Sequence, residues 1–245
     1  MRLSSNKTSN PAFNEYFWND KNTSSNTLRV SGVIFKSIAA IVVVATVVGY
    51  VWKLNEQGVD VAWFRYGGII GAIIFSTVIS YQKHLTHIFI IPYAIAKGCF
   101  IGGFSVWIKL RYPELPYQAI GVTVFTFFTV FILYQTGIIV VTKKIRSIII
   151  TSAASIFLVY IISWILSIFG IRSFIWGTSW IAIAFNVFAA IIASMTLLLD
   201  FDYIEQKKHK APKNMEWFAA WGLLVSLLWM YVEILRLMKK LAIRF

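Results

Sequence analysis

Seven apolar blocks, each close to twenty residues long, constrain this chain more than any motif in it. An α-helix needs about 20 apolar residues to cross roughly 30 Å of hydrocarbon, and a spanning backbone must satisfy its own polar groups. The blocks fall at 32–53, 62–81, 86–108, 117–141, 147–168, 178–200 and 217–238, and their connections are too short for an extramembrane domain. Composition agrees, with 58% hydrophobic and only 13% charged residues, where a soluble domain carries about 25% charged. The pattern predicts an all-α polytopic membrane protein, a bundle of seven transmembrane helices over residues 31–245. Residues 1–30 are polar and rich in Ser, Asn and Thr, which predicts a flexible N-terminal tail. No signal-peptide core opens the chain, so the first block is expected to stay as an anchor.

A net charge of +13 would suit nucleic acid if it were clustered, but it is spread along the connections. With the N-terminus inside, the inner connections hold eight basic residues: Lys83; Lys143, Lys144 and Arg146; Lys207, Lys208, Lys210 and Lys213. The outer ones hold five, namely Lys53, Arg65, Lys109, Arg111 and Arg172. That bias predicts a multi-pass membrane protein with a cytoplasmic N-terminus. The C-terminal basic residues Arg236, Lys239, Lys240 and Arg244 run against it, because seven crossings put them outside. The bilayer is the first partner implied; nucleic acid is not one.

The chain has ten acidic residues, and an ionised carboxylate inside hydrocarbon costs several kcal/mol unless it meets a partner or water. The stretch "LLLDFDYIEQ" ends the sixth block on Asp200 and Asp202. Successive helical residues turn by about 100°, so these two point to nearly opposite sides. Behind Asp200 stack Thr196, Ala193, Ala189, Asn186 and Ala182; behind Asp202 stack Leu198, Met195, Ile191 and Phe188. Small and polar residues mark helix contacts in membranes. Asp200 is therefore expected to face protein, and Asp202 the headgroups. In the last block Trp229, Ser226, Gly222 and Ala219 share a side with Glu233, again a packing face. Glu216 lies about 100° away and reads as an interfacial acid in the first turn, favoured by the helix dipole. Two interior acids in contact would share a proton and respond to pH, or together offer oxygen ligands to Ca²⁺. The plainer alternative has Glu233 tied to Arg236 one turn on. Asp200 lies near the inner end of its block and Glu233 late in the last, so their depths differ.

The stretches "LDFDYIEQ" and "APKNMEWFAAWGLLVSLLWMYVEILRLMKKL", with "SNPAFNEYFW" and "AKGCFIGGFS", resemble the Bax inhibitor 1-like, YccA-type membrane proteins. The resemblance covers most of the chain and is strongest over 197–241. It implies a seven-helix fold with one helix near the bundle centre. It also implies a pH-dependent Ca²⁺ leak, or proton-coupled exchange, gated by one acid on span six and one on span seven. Asp200 and Glu233 match those acids, with Glu216 in an alternative register and Asp202 beside the pair. Ca²⁺ would then be the transported ion, and no cofactor is implied. YccA-type relatives also suggest a rival role, a non-transporting regulator that binds other membrane proteins such as a membrane protease. This chain departs from the pattern at Lys97, where an acid is expected.

Lys97 falls mid-block beside Gly98 and Gly102, glycines that let another helix approach closely. Such a lysine pairs with an acid, snorkels to an interface or sheds its proton. Pairing would make it an intramembrane counter-ion to Asp200 or Glu233. Lys36, near the start of the first block, can snorkel. His84 and His87 are three apart without an accompanying acid or cysteine and read as interfacial. No zinc-protease motif or Gly-x-Gly-Asp setting is present, so no enzymatic activity is expected. The single cysteine, Cys99, reads as a packing residue, and Trp52, Trp63, Trp217 and Tyr231 as interfacial aromatics.

Overall fold

The structure, a computed structural model, describes residues 27–171 and 173–244. Seven helices are long and apolar enough to cross a membrane. In chain order they are α1 (Val30–Glu56), α2 (Ala62–Tyr81), α3 (Thr86–Lys109), α4 (Leu115–Gln135), α5 (Lys143–Ile168), α6 (Trp180–Lys207) and α7 (Met215–Arg244). Short 3₁₀ turns precede α3 (Lys83–Leu85) and α6 (Phe174–Trp176). The expected all-α class holds.

Helix ends follow local chemistry. Thr142 starts α5 by accepting from the Ile145 backbone N–H at 3.2 Å, and a proline at the first turn opens α4. Gly137 and Gly170 follow α4 and α5 with φ of 70° and 76°, a left-handed conformation that a β-carbon penalises. α6 runs two turns past the end expected at residue 200, because "DFDYIEQK" contains no breaker and its charges find partners. Of the tail expected over 1–30, only residues 27–30 are among the described residues, and they are held in place. Leu28 is fully buried, its N–H donates to Ala211 O at 2.8 Å, and α1 begins at Val30. The flexibility expected of residues 1–26 falls outside the described residues.

The chain divides into two compact units. Unit 1 comprises residues 1–103 and 204–222. Here α1 packs on α3 through glycines: a β-carbon at Gly98 would stand 2.7 Å from Val47 Cβ, and one at Gly102 2.9 Å from Val51 Cβ. Unit 2 comprises residues 104–203 and 223–245. Its core holds Ile156, Ala189 and Ile192, with Tyr160, Phe185 and Trp229 packed against them.

Burial separates the helices. The most apolar window of α7 is 67% buried against 11% for α4. Large side chains such as Phe35, Phe125 and Phe157 are exposed; lipid is the solvent that suits that surface.

Candidate functional site

Glu233 is fully buried on α7 of unit 2. Its carboxylate accepts four hydrogen bonds. Tyr160 OH (2.7 Å) and Asn186 Nδ2 (3.2 Å) donate to Oε2. Trp229 Nε1 (3.0 Å) and Arg236 Nη1 (3.2 Å) donate to Oε1. Donors thus arrive from α5, α6 and α7, and the Arg236 guanidinium also stacks 4.5 Å from the Tyr160 ring centroid. Beyond Asn186 lies Lys240, whose ammonium donates to Asn186 Oδ1. One acid therefore sits among two cations and three neutral donors, and four donors meet the usual capacity of a carboxylate.

Asp200 also belongs to unit 2 and is served differently. The Ser226 hydroxyl lies near its carboxyl group, while its Oδ2 is hidden from solvent and no protein donor reaches it among the described residues. The face expected to point inward does so, with Ala182, Ala189 and Ala193 fully buried and Asn186 nearly so. On the opposite face Phe188 and Ile191 are exposed, although Leu198 is buried.

Asp200 and Glu233 are not in contact. Ser226 and Glu233 are seven residues apart on one face of α7, a rise of about 10 Å; Asn186 and Asp200 are fourteen apart on α6, about 20 Å. At 10 Å or more, two charges interact by less than about 2 kcal/mol at an effective dielectric near 20, too weak for the contact that proton sharing needs. The shared-proton pair and the joint Ca²⁺ ligand set read from the sequence are therefore not assembled in this conformation. No group of three His, Cys, Asp or Glu side chains able to hold a metal occurs among the described residues.

The other two candidate acids, Asp202 and Glu216, have partners. Asp202, expected at the headgroups, pairs with Arg146 of α5 in unit 2. Glu216 of unit 1 lies in the first turn of α7 as expected, but it is buried rather than interfacial. It pairs with Lys36 and accepts the Arg29 backbone N–H at 3.0 Å, beside Gly32. Lys36 thus makes an ion pair where the sequence suggested a snorkel, and it also lies 4.9 Å over the Trp217 ring. Lys97 of unit 1 lies 6.0 Å from the Tyr93 ring centroid and 5.7 Å from that of Phe100.

Smaller expectations divide. His87 Nδ1 stands 2.9 Å from His84 O, a local contact within one turn. Cys99 is half-buried in an apolar recess lined by Trp63, Phe64, Gly67, Gly68 and Ala96. Tyr231, expected at an interface, is buried and hydrogen-bonded to Ser105 at 2.9 Å.

Sequence reasoning missed Tyr160 and Lys240. Tyr160 carries no signal beyond being a polar-tipped aromatic within an apolar block, and Lys240 read as one of several terminal basic residues. Asn186 was visible as a polar residue on the inward face of α6. A family model described as Bax inhibitor 1 like matches residues 10–243, and the chain belongs to that family. Searches of curated proteins and of solved structures returned no match.

Proposed function

We propose that this member of the Bax inhibitor 1 like family is a pH-responsive cation leak, or a proton-coupled exchanger, of the inner or plasma membrane. One observation carries the reading: Asp200, on the inward face of a spanning helix, presents an enclosed carboxyl oxygen that no donor among the described residues serves. A buried acceptor left without a donor costs about 1–3 kcal/mol, and more when charged. A proton or a passing cation would relieve that cost. Asp200 is then the group that exchanges protons with the pathway, and Glu233, saturated by four donors, holds α5, α6 and α7 in a closed arrangement.

Ca²⁺ remains the first ion to test, as transported substrate rather than resident ligand. Two cations already attend Glu233, so a divalent ion could be served there only after Arg236 or Lys240 moves. The test is reconstitution in dye-loaded liposomes between pH 5 and 8. Wild-type influx should depend on pH, and Asp200→Asn should flatten that dependence. Influx indifferent to pH in the wild type removes the mechanism.

A second reading draws on unit 1. Thr27 bridges to Pro212, and Leu28 O accepts the His209 N–H at 3.1 Å, which joins the N-terminal segment to the α6–α7 connection. A regulator that binds other membrane proteins could act through residues 2–26. Deleting them should then abolish its phenotype, whereas a leak should keep its flux.

A further inference from the structure

Lys240 is a buried lysine that touches no carboxylate directly among the described residues, Glu233 lying one step away beyond Asn186. Lysines are almost never buried unless paired, and near a helix end they ordinarily snorkel to water. Here the side chain turns inward, within unit 2, and its three donors go to three neutral oxygens: Ile175 O at 2.6 Å, Ala182 O at 3.1 Å, and Asn186 Oδ1. Two of these are backbone carbonyls, from the 3₁₀ turn and from the first turns of α6. The third is fixed because the Asn186 amide is held at its other end by Glu233. Asn186 and Ile175 are themselves buried. Carbonyl oxygens converging on one point are what replaces the hydration shell of a monovalent cation, and an ammonium is a compact point charge on a flexible stem.

We infer that these three oxygens form a monovalent-cation site, held in this conformation by the ammonium of Lys240 acting as a tethered cation. Glu233 lies just beyond, bridged by Asn186, so the tethered charge stands as a plug on the approach to it. The plug, unlike the site, rests on the cation-leak reading above.

The experiment measures thermal unfolding of the full chain in one detergent, wild type against Lys240→Ala, with added ammonium, potassium or choline chloride at equal ionic strength. Lys240→Ala should melt below wild type, and ammonium at about 100 mM should restore at least half of the loss by binding the folded state. Choline, too large for the site, should restore none, and wild type should respond to neither. Lys240→Met, which fills the space with a neutral chain, should gain nothing from ammonium. Equal effects of ammonium and choline on Lys240→Ala overturn the site. Should Lys240→Ala fail to fold, extraction with ammonium in the buffer replaces the melt: recovery with ammonium but not choline supports the site, and recovery with neither overturns it.

Liposome flux then separates the two claims. Faster cation entry in Lys240→Ala supports the plug, and wild-type rates in a cation-stabilised Lys240→Ala overturn it. No flux in either protein overturns the leak reading and leaves the cation site to stand on the melting data.

Discussion

Glu233, which accepts from four donors, and Asp200, which has an oxygen accepting from none among the described residues, should respond oppositely to the same chemical change. Glu233→Gln keeps the shape but turns one acceptor into a donor that faces other donors. It also leaves Arg236 without its counter-charge. Breaking a buried pair by removing one partner costs about 3–5 kcal/mol, so Glu233→Gln should lose about 3 kcal/mol or more. Asp200→Asn keeps an acceptor near Ser226 and removes an enclosed charge, so it should change stability by less than about 1 kcal/mol or raise it. Denaturant titration of both variants in one detergent checks the contrast; equal losses would contradict these two environments. Lys97 offers a third comparison. Ring contacts of its kind contribute about 2 kcal/mol when desolvated, so Lys97→Met should lose no more than about 2 kcal/mol. A loss above about 3 kcal/mol would instead mark a lost counter-ion. The sequence disclosed that Asp200 and Glu233 face inward, because small residues repeat behind each along its own helix. It could not disclose that Tyr160 and Arg146 would meet Glu233 and Asp202, since those contacts span 73 and 56 residues and depend on packing register.

Helices were the most legible part, since twenty-residue apolar blocks leave the backbone few alternatives in lipid. Their contacts were legible only where glycine announced them, as at Gly98 and Gly102 against α1. Gly98→Ala must push into the β-carbon of Val47 and the carbonyl oxygen of Val44, 3.1 Å away, neither of which can swing aside. Overpacking of this kind costs about 1–3 kcal/mol. Gly67 of α2 has open space where a β-carbon would go. Gly67→Ala should therefore gain up to about 1 kcal/mol through helix propensity. Melting temperatures of the two variants should move in opposite directions, and a shared direction would contradict the α1–α3 packing. The Lys36–Glu216 pair ties α1 to the first turn of α7 by a contact 180 residues long, and no periodicity within α1 reveals it. Lys36→Met should cost about 3 kcal/mol by stranding Glu216. The double variant Lys36→Met with Glu216→Gln should recover much of that, and a double-mutant cycle showing simple additivity would deny the pair.

Seven helices able to cross a membrane would, if all of them cross, leave the start of α1 and the end of α7 on opposite sides, and the charges should decide which is inside. Counted by position alone, the terminal basic residues Arg236, Lys239, Lys240 and Arg244 oppose a cytoplasmic N-terminus. In the structure they belong to α7 and lie on aromatic rings of unit 2: Lys239 Nζ is 3.3 Å from the Trp107 ring centroid, and the Arg244 guanidinium 3.9 Å from that of Trp180. Arg236 is committed to Glu233 and Lys240 to three oxygens. Cations held on interfacial aromatics anchor a helix end at the membrane surface, so they weigh less as orientation signals than the exposed Lys143, Lys144, Lys210 and Lys213 of the inner connections. The N-terminus is accordingly expected in the cytoplasm. Single cysteines at exposed positions of a Cys99→Ser background can be probed with an impermeant thiol reagent. Gln57→Cys and Glu114→Cys should label on intact cells, whereas Thr136→Cys and Lys210→Cys should label only after permeabilisation. The reverse pattern would mean that the α7 terminus sets the orientation after all. Labelling of Gln57→Cys and Thr136→Cys from the same side would contradict the three crossings, α2, α3 and α4, expected between them.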